Sequence, residues 1–112
     1  MATAIDRAVF AELQATAGDE FVRELVATFL TEAPAMLAEL EDALGADDAD
    51  RFRRTAHSLK SNANTFGART LGEKARALEL GGIASARAQG VLAALEAEYR
   101  HVADALRELA RG

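Results

Sequence analysis

Apolar residues recur at spacings of three and four along most of this chain, which is the period of helices that bury one side. The clearest stripe is Phe52, Ala56, Leu59, Ala63 and Phe66. At about 100° per residue these five fall within roughly 40° of one direction. A second stripe, Leu92, Leu95, Tyr99, Val102, Leu106 and Leu109, alternates three and four in the way of near-antiparallel bundle helices. From Phe21 a longer pattern runs through Leu25, Phe29, Met36, Leu37, Leu40 and Leu44. Phe10 with Leu13, and Leu71 with Ala75 and Leu78, mark two further helical faces, and no strand is expected.

Punctuation between the stripes sets the expected limits. Asp6 is placed to cap a short first helix that Gly18 closes near Ala17, and Asp19 to cap the next, which ends at Gly45. Pro34 predicts a bend near Leu30 to Pro34 rather than a stop. Ala46-Asp47-Asp48 offers capping side chains to the third helix, and Gly67 turns the chain after Phe66. Thr70-Leu71-Gly72-Glu73 has the spacing of a capping box for the fourth helix, Gly81-Gly82 would end it, and Ser85 would cap the last. The first four residues and Arg111-Gly112 are expected to fray. Connections this short make neighbouring helices antiparallel. The prediction is an all-α fold, an antiparallel up-and-down four-helix bundle with a short additional N-terminal helix, forming one domain over residues 1–112. With half of 112 residues hydrophobic, one core needs no staples, and Phe21, Phe29, Phe52 and Phe66 are its expected bulky fillers.

The side of the third helix away from its stripe carries the candidate chemistry. Arg53, His57, Lys60, Ser61 and Asn64 cluster roughly 120° from the apolar five and so share an outward face. A lone histidine on a helix is most often a solvated surface residue, but here a cation stands one turn away on the same face. An imidazole titrates at about 6.5, so near neutral pH a ring nitrogen offers a lone pair without a dedicated base. Phosphoryl transfer needs chiefly in-line positioning and charge stabilisation, which an accessible imidazole on a rigid helix and the Lys60 ammonium can supply. Ser61 and Asn64 could contact phosphate or a partner. Ser58 points elsewhere and is expected to bond back to the preceding turn, and Gln89 is not assigned to the site.

The wider sequence makes the pattern more specific. Ala56-His57-Ser58-Leu59-Lys60 is followed by Asn64-Thr65-Phe66-Gly67-Ala68, then Leu71, Ala75, Leu78 and Glu79. A bare His-x-x-Lys recurs by chance, but this box with its downstream Gly-Ala-x-x-Leu and Leu-Glu resembles the histidine-containing phosphotransfer (HPt) domain family. Asp6, Gly18-Asp19-Glu20-Phe21 and the closing helix from Leu92 to Leu109 extend the likeness over nearly the whole chain, and the resemblance implies that the fourth helix starts near Ala68, slightly before the capping box. One departure is Ser61, where the family usually has a glycine that leaves room for partner and phosphoryl group. The resemblance implies a carrier in a two-component phosphorelay. His57 would take a phosphoryl group from a receiver-domain aspartate, hold it at Nε2 and pass it to another receiver, with Lys60 stabilising the phosphate. Arg53, Arg54, Ser61 and Asn64 would meet the partner, a receiver domain of a response regulator or hybrid sensor kinase, through transient contacts. It also implies no cofactor or metal of the chain's own, Mg²⁺ coming with the receiver. The alternative is an adaptor bundle that binds receiver or kinase domains and is never phosphorylated.

Charge and composition narrow the remaining classes. Between residues 51 and 76 seven bases stand against the single acid Glu73, a formal +6 that leaves −11 on the rest of a chain whose net charge is −5. The expectation is a basic patch around His57 that steers an acidic or phosphorylated surface, not a nucleic-acid binder. There is no Gly-rich nucleotide loop, and no His-Glu-x-x-x-Pro follows the histidine, so autophosphorylation from ATP is not expected and the chain reads as a carrier rather than an enzyme. Glu98-Tyr99-Arg100-His101 is one copy of an element that di-metal bundles need twice, and His101 faces away from its helix's stripe. The absence of cysteine fits a reducing compartment, and no apolar run approaches the roughly 20 residues of a membrane span. A cytoplasmic monomer is expected.

Overall fold

The computed structural model describes residues 4–88 and 90–111. Five helices follow in order: α1 (Arg7–Ala17), α2 (Asp19–Gly45), α3 (Ala49–Thr65), α4 (Arg69–Ala86) and α5 (Val91–Arg111). No strand occurs among the described residues. Helices α2 to α5 each pack on the next in the chain, α5 closes the ring against α2, and α1 lies on α2. This is the expected bundle. The 27 residues of α2 rise about 40 Å, which matches the 41 Å long axis, so α2 spans the whole molecule.

The core forms where the stripes meet. Phe52, Ala56, Leu59 and Ala63 of α3 are completely enclosed, as are Leu71 and Ala75 of α4 and Val102 and Leu106 of α5. At the centre the Phe29 ring lies 5.4 Å from that of Phe66 and 5.9 Å from that of Tyr99, which ties α2 to the end of α3 and to α5. Phe21 departs from expectation, being half-exposed at 51%. In the first half of α2 the buried seam is Val22, Val26, Phe29 and Ala33, one position away from the expected Phe21-Leu25 register, and α1 fills its end of the core with Phe10. Pro34 lies inside α2 without ending it.

Several caps stand as expected. The Asp6 carboxylate accepts from the Ala8 and Val9 amides at 3.0 and 3.3 Å, and that of Asp48 from the Arg51 amide at 3.1 Å. Others differ. Gly18 occupies the cap of α2, and Asp19 falls in the first turn, where its charge favours the helix dipole. Helix α4 begins at Arg69 after Ala68, where the resemblance implied and not at the Thr70 capping box, so Thr70 is already helical. Gly82 (φ 69°, ψ −164°) kinks α4 without stopping it, and the chain winds on to Ala86. Ser85 therefore caps nothing, and its hydroxyl donates to the Gly82 carbonyl at 3.2 Å. Ala4 sits half-buried against the core and Arg111 is helical, so neither frays as expected; Met1 to Thr3 and Gly112 lie outside the described residues.

One turn fixes α1 relative to the functional helices. The Asp6 amide donates to the Gly67 carbonyl at 2.8 Å, and the Arg69 guanidinium reaches the Asp6 carboxylate at 2.9 Å. Gly67 has φ +80°, and a Cβ there would come within 2.9 Å of the Val9 Cβ and 3.0 Å of the Asp6 carbonyl oxygen. Glycine is needed for both the backbone and the space.

Candidate functional site

The buried stripe of α3 turns its polar positions outward between α2 and α4. His57 projects from this ridge with 57% of its side chain exposed. Its Nδ1 lies 2.7 Å from Oε2 of Glu79 on α4, and Nζ of Lys60, one turn along α3, lies 2.9 Å from the other oxygen, Oε1. One carboxylate thus holds both residues that the sequence singles out.

Glu79 and Lys60 are much less exposed than the imidazole, at 18% and 22%. Oε1 is shut off from solvent, and the Lys60 ammonium is the cation that meets it. Contact with Lys60 first, and with His57 second, holds the Glu79 carboxyl below the usual carboxylate range against a smaller opposing effect of burial. An ionised carboxylate only accepts hydrogen bonds. In the neutral ring Nδ1 is therefore the nitrogen placed to donate, and Nε2 is left with the free lone pair.

The α3–α4 spacing that permits this contact depends on a small residue. Gly72 is buried opposite Asn64, and a Cβ at position 72 would run into the Asn64 carboxamide. Asn64 is therefore occupied at the helix crossing, although it remains exposed on one side. Ser61 stands exposed on the outer face, and its backbone carbonyl accepts from the Thr65 hydroxyl at 3.0 Å. Ser58 does not bond back to its own helix; with Arg54, Thr55, Ala35 and Met36 it lines an open groove of about 850 Å³ between α2 and α3.

The basic patch is less bare than its sequence. Arg53 and Arg54 both pair with Asp50, at 2.7 and 3.0 Å, and Arg51 makes a two-pronged contact with Glu39 at 2.9 and 3.2 Å. With Lys60 on Glu79 and Arg69 on Asp6, five of the seven bases between residues 51 and 76 meet acids that lie outside that window. The local field is correspondingly weaker than the formal +6 implies. Glu79 is the site residue that sequence reasoning missed. It stood in the quoted Leu78-Glu79 pair, and a carboxylate directly after a buried leucine on the helix facing His57 was the available signal. Gln89 lies outside the described residues. Among the described residues no cluster of His, Cys, Asp and Glu is arranged to hold a metal ion, and no helix is long and apolar enough to cross a membrane.

Comparison with known proteins follows the same lines. The family model of the Hpt domain matches residues 24–111. Among solved structures, histidine-containing phosphotransfer protein B (HptB) from Pseudomonas aeruginosa PAO1 is similar to this chain at 29% identity, with 99% of this chain and 97% of that one covered and a TM-score of 0.86. No match was found among curated proteins.

Proposed function

The chain belongs to the Hpt domain family, and from that premise we propose that it is a phosphorelay histidine phosphotransfer protein whose phosphoryl carrier is His57. One observation supports this assignment above the others: Glu79 binds Nδ1 at 2.7 Å on the protein side of the ring, which leaves Nε2 of a half-exposed imidazole to attack from a rigid helix. A receiver's aspartyl phosphate would meet that nitrogen in line. The P–O bond to the aspartate breaks as the Nε2–P bond forms, and a second receiver aspartate reverses the exchange.

Lys60 stands one turn from the ring and shares the Glu79 carboxylate with it. Its ammonium offsets phosphoryl charge while the contact with Glu79 limits its motion. Arg53, Arg54 and Ser61 provide the exposed rim that a partner would meet, whereas Asn64 contributes chiefly to the α3–α4 crossing. The chain's own groups need no metal for this exchange, and the Mg²⁺ of aspartyl-phosphate chemistry is assigned to the receiver. The protein would act in the cytoplasm as a carrier with no kinase activity of its own.

The test is incubation with a phosphorylated receiver, comparing the wild type with His57→Gln. Acid-labile phosphate on the wild type alone is the expected outcome. Equal labelling of both proteins would remove His57 from the role, and no labelling across a panel of receivers would leave the bundle as an adaptor.

A further inference from the structure

A phosphoryl group placed on Nε2 of an imidazole that already carries a proton on Nδ1 leaves the ring positively charged. What becomes of that proton decides how readily the phosphoryl group departs. If it stays, the leaving group is neutral imidazole; if it is lost, phosphoryl departure would have to expel an imidazolide anion, a far poorer leaving group. Most charged surroundings of this ring would drive the proton off. Lys60 lies one turn along α3, and Arg53 and Arg54 lie one turn before it, although both of these are tied to Asp50 at 2.7 and 3.0 Å. On α2, Glu32 and Glu39 line the groove beside Ser58 rather than contacting the ring, and Glu39 is taken by Arg51 at 2.9 Å. On α4, Arg76 is exposed one turn before Glu79, and α5 contributes no charged group that acts on Glu79. Glu79 is the acid that faces the ring.

The geometry assigns Glu79 as a positioning residue that keeps the Nδ1 proton on His57 throughout the transfer cycle, so that phosphoryl enters and leaves at Nε2 with no proton exchanged with solvent. This rests on the carrier reading of His57. In the loading step the Nε2 lone pair forms the bond to phosphorus, and the P–O electron pair stays with the receiver's aspartate. The ring becomes a phosphoimidazolium whose N–H points at Oε2. In the unloading step the next aspartate oxygen bonds to phosphorus, the N–P electron pair returns to Nε2, and neutral imidazole reappears with its proton still on Nδ1. Atoms and charge balance at both steps without an external acid or base. The carboxylate is fit for the task because it stays ionised: the Lys60 ammonium at 2.9 Å on Oε1 stabilises its charge, and that oxygen is closed to water. A hydrogen bond from Nδ1 to Oε2 formed before phosphorylation also spares Glu79 any reorientation as charge develops on the ring.

The experiment loads the protein with phosphoramidate, a small-molecule donor, so that no receiver is needed. Wild type, Glu79→Gln and Glu79→Ala are compared, with helical circular dichroism confirming that each is folded. Glutamine can still accept from Nδ1–H but carries no charge, and alanine removes both properties. Nitrogen-15 NMR of phosphorylated His57 is followed against pH together with the rate of phosphate loss. The wild type should keep the Nδ1 proton to higher pH than either variant, and at mildly alkaline pH it should lose phosphate about tenfold faster than Glu79→Gln. Superimposable titrations and rate profiles in wild type and Glu79→Gln would overturn the assignment while leaving His57 as the carrier. Failure of the wild type to take up phosphate at His57 would count against the carrier reading itself, and this inference would fall with it.

Discussion

At the scale of single residues, the carboxylate of Glu79 is where folding and chemistry are coupled most directly. Its pKa lies below the ordinary carboxylate value of 4.5 because of Lys60 and then His57. The sign follows from linkage: a group whose folded pKa is depressed contributes stability that is fully present above the unfolded value and is lost as pH falls through the folded one. Wild type is therefore expected to melt higher than Glu79→Gln near neutrality, with the gap closing as the solution is acidified below the ordinary carboxylate range. Thermal melts of both proteins along an acid series check this, and a gap that stays constant would show that Glu79 is not held by charge. Residue roles were only partly legible in the sequence. His57 and Lys60 stood out because helical spacing places them on one face, whereas Glu79 reaches them from another helix, 22 residues away in the chain. The pairing of Arg53 and Arg54 with Asp50 was legible from three- and four-residue spacing. A charge window beginning at residue 51 hid it.

Among the elements, α3 and α4 form the working pair, and the turn between them is fastened to the start of α1 at Gly67. Gly67→Ala forces a left-handed backbone on a residue with a Cβ and drives that Cβ toward Val9 and the Asp6 backbone. The expected cost is about 1–3 kcal/mol of stability, read as a lower denaturant midpoint. Hydrogen exchange at the Asp6 amide should speed up as its bond to the Gly67 carbonyl weakens. Loading of His57 by phosphoramidate should persist in the fraction that remains folded, because α1 supplies nothing to the site. Loss of loading with an unchanged midpoint would mean that the turn acts on the site directly. The period of 3.6 made α3 and α5 legible, since each has one continuous stripe and no competing register. The first half of α2 offered two stripes, Phe21-Leu25 and Val22-Val26, and local hydrophobicity favoured the phenylalanine. Burial in the core shared by the helices, a tertiary effect, decided for the valines. The glycine pair in α4 likewise predicted a stop because a backbone able to leave the helix need not resume it, yet the residues after Gly82 wind on.

For the molecule as a whole, the bundle is a support that keeps the candidate site in register, and its helices approach closely. Ala33, Ala43, Ala56, Ala63 and Ala75 are completely enclosed, so the helices meet through small side chains with few large fillers between them. That makes each large filler count. Phe29 touches the rings of Phe66 and Tyr99 and is 3% exposed, joining α2, the end of α3 and α5 at one point. Phe29→Ala should cost about 3–5 kcal/mol, a large share of the roughly 5–15 kcal/mol that holds a domain of this kind together. Because the four long helices share one core, the loss should lower a single cooperative transition rather than melt one helix. Far-ultraviolet circular dichroism and the near-ultraviolet signal of Tyr99 are expected to fall together, at a lower temperature than in the wild type. Phe29→Leu, which retains most of the volume, should recover more than half of the difference. If helicity survived while the Tyr99 signal vanished, the ring cluster would be a local contact, and the register of His57 with Glu79 would have to be maintained by the α3–α4 crossing alone.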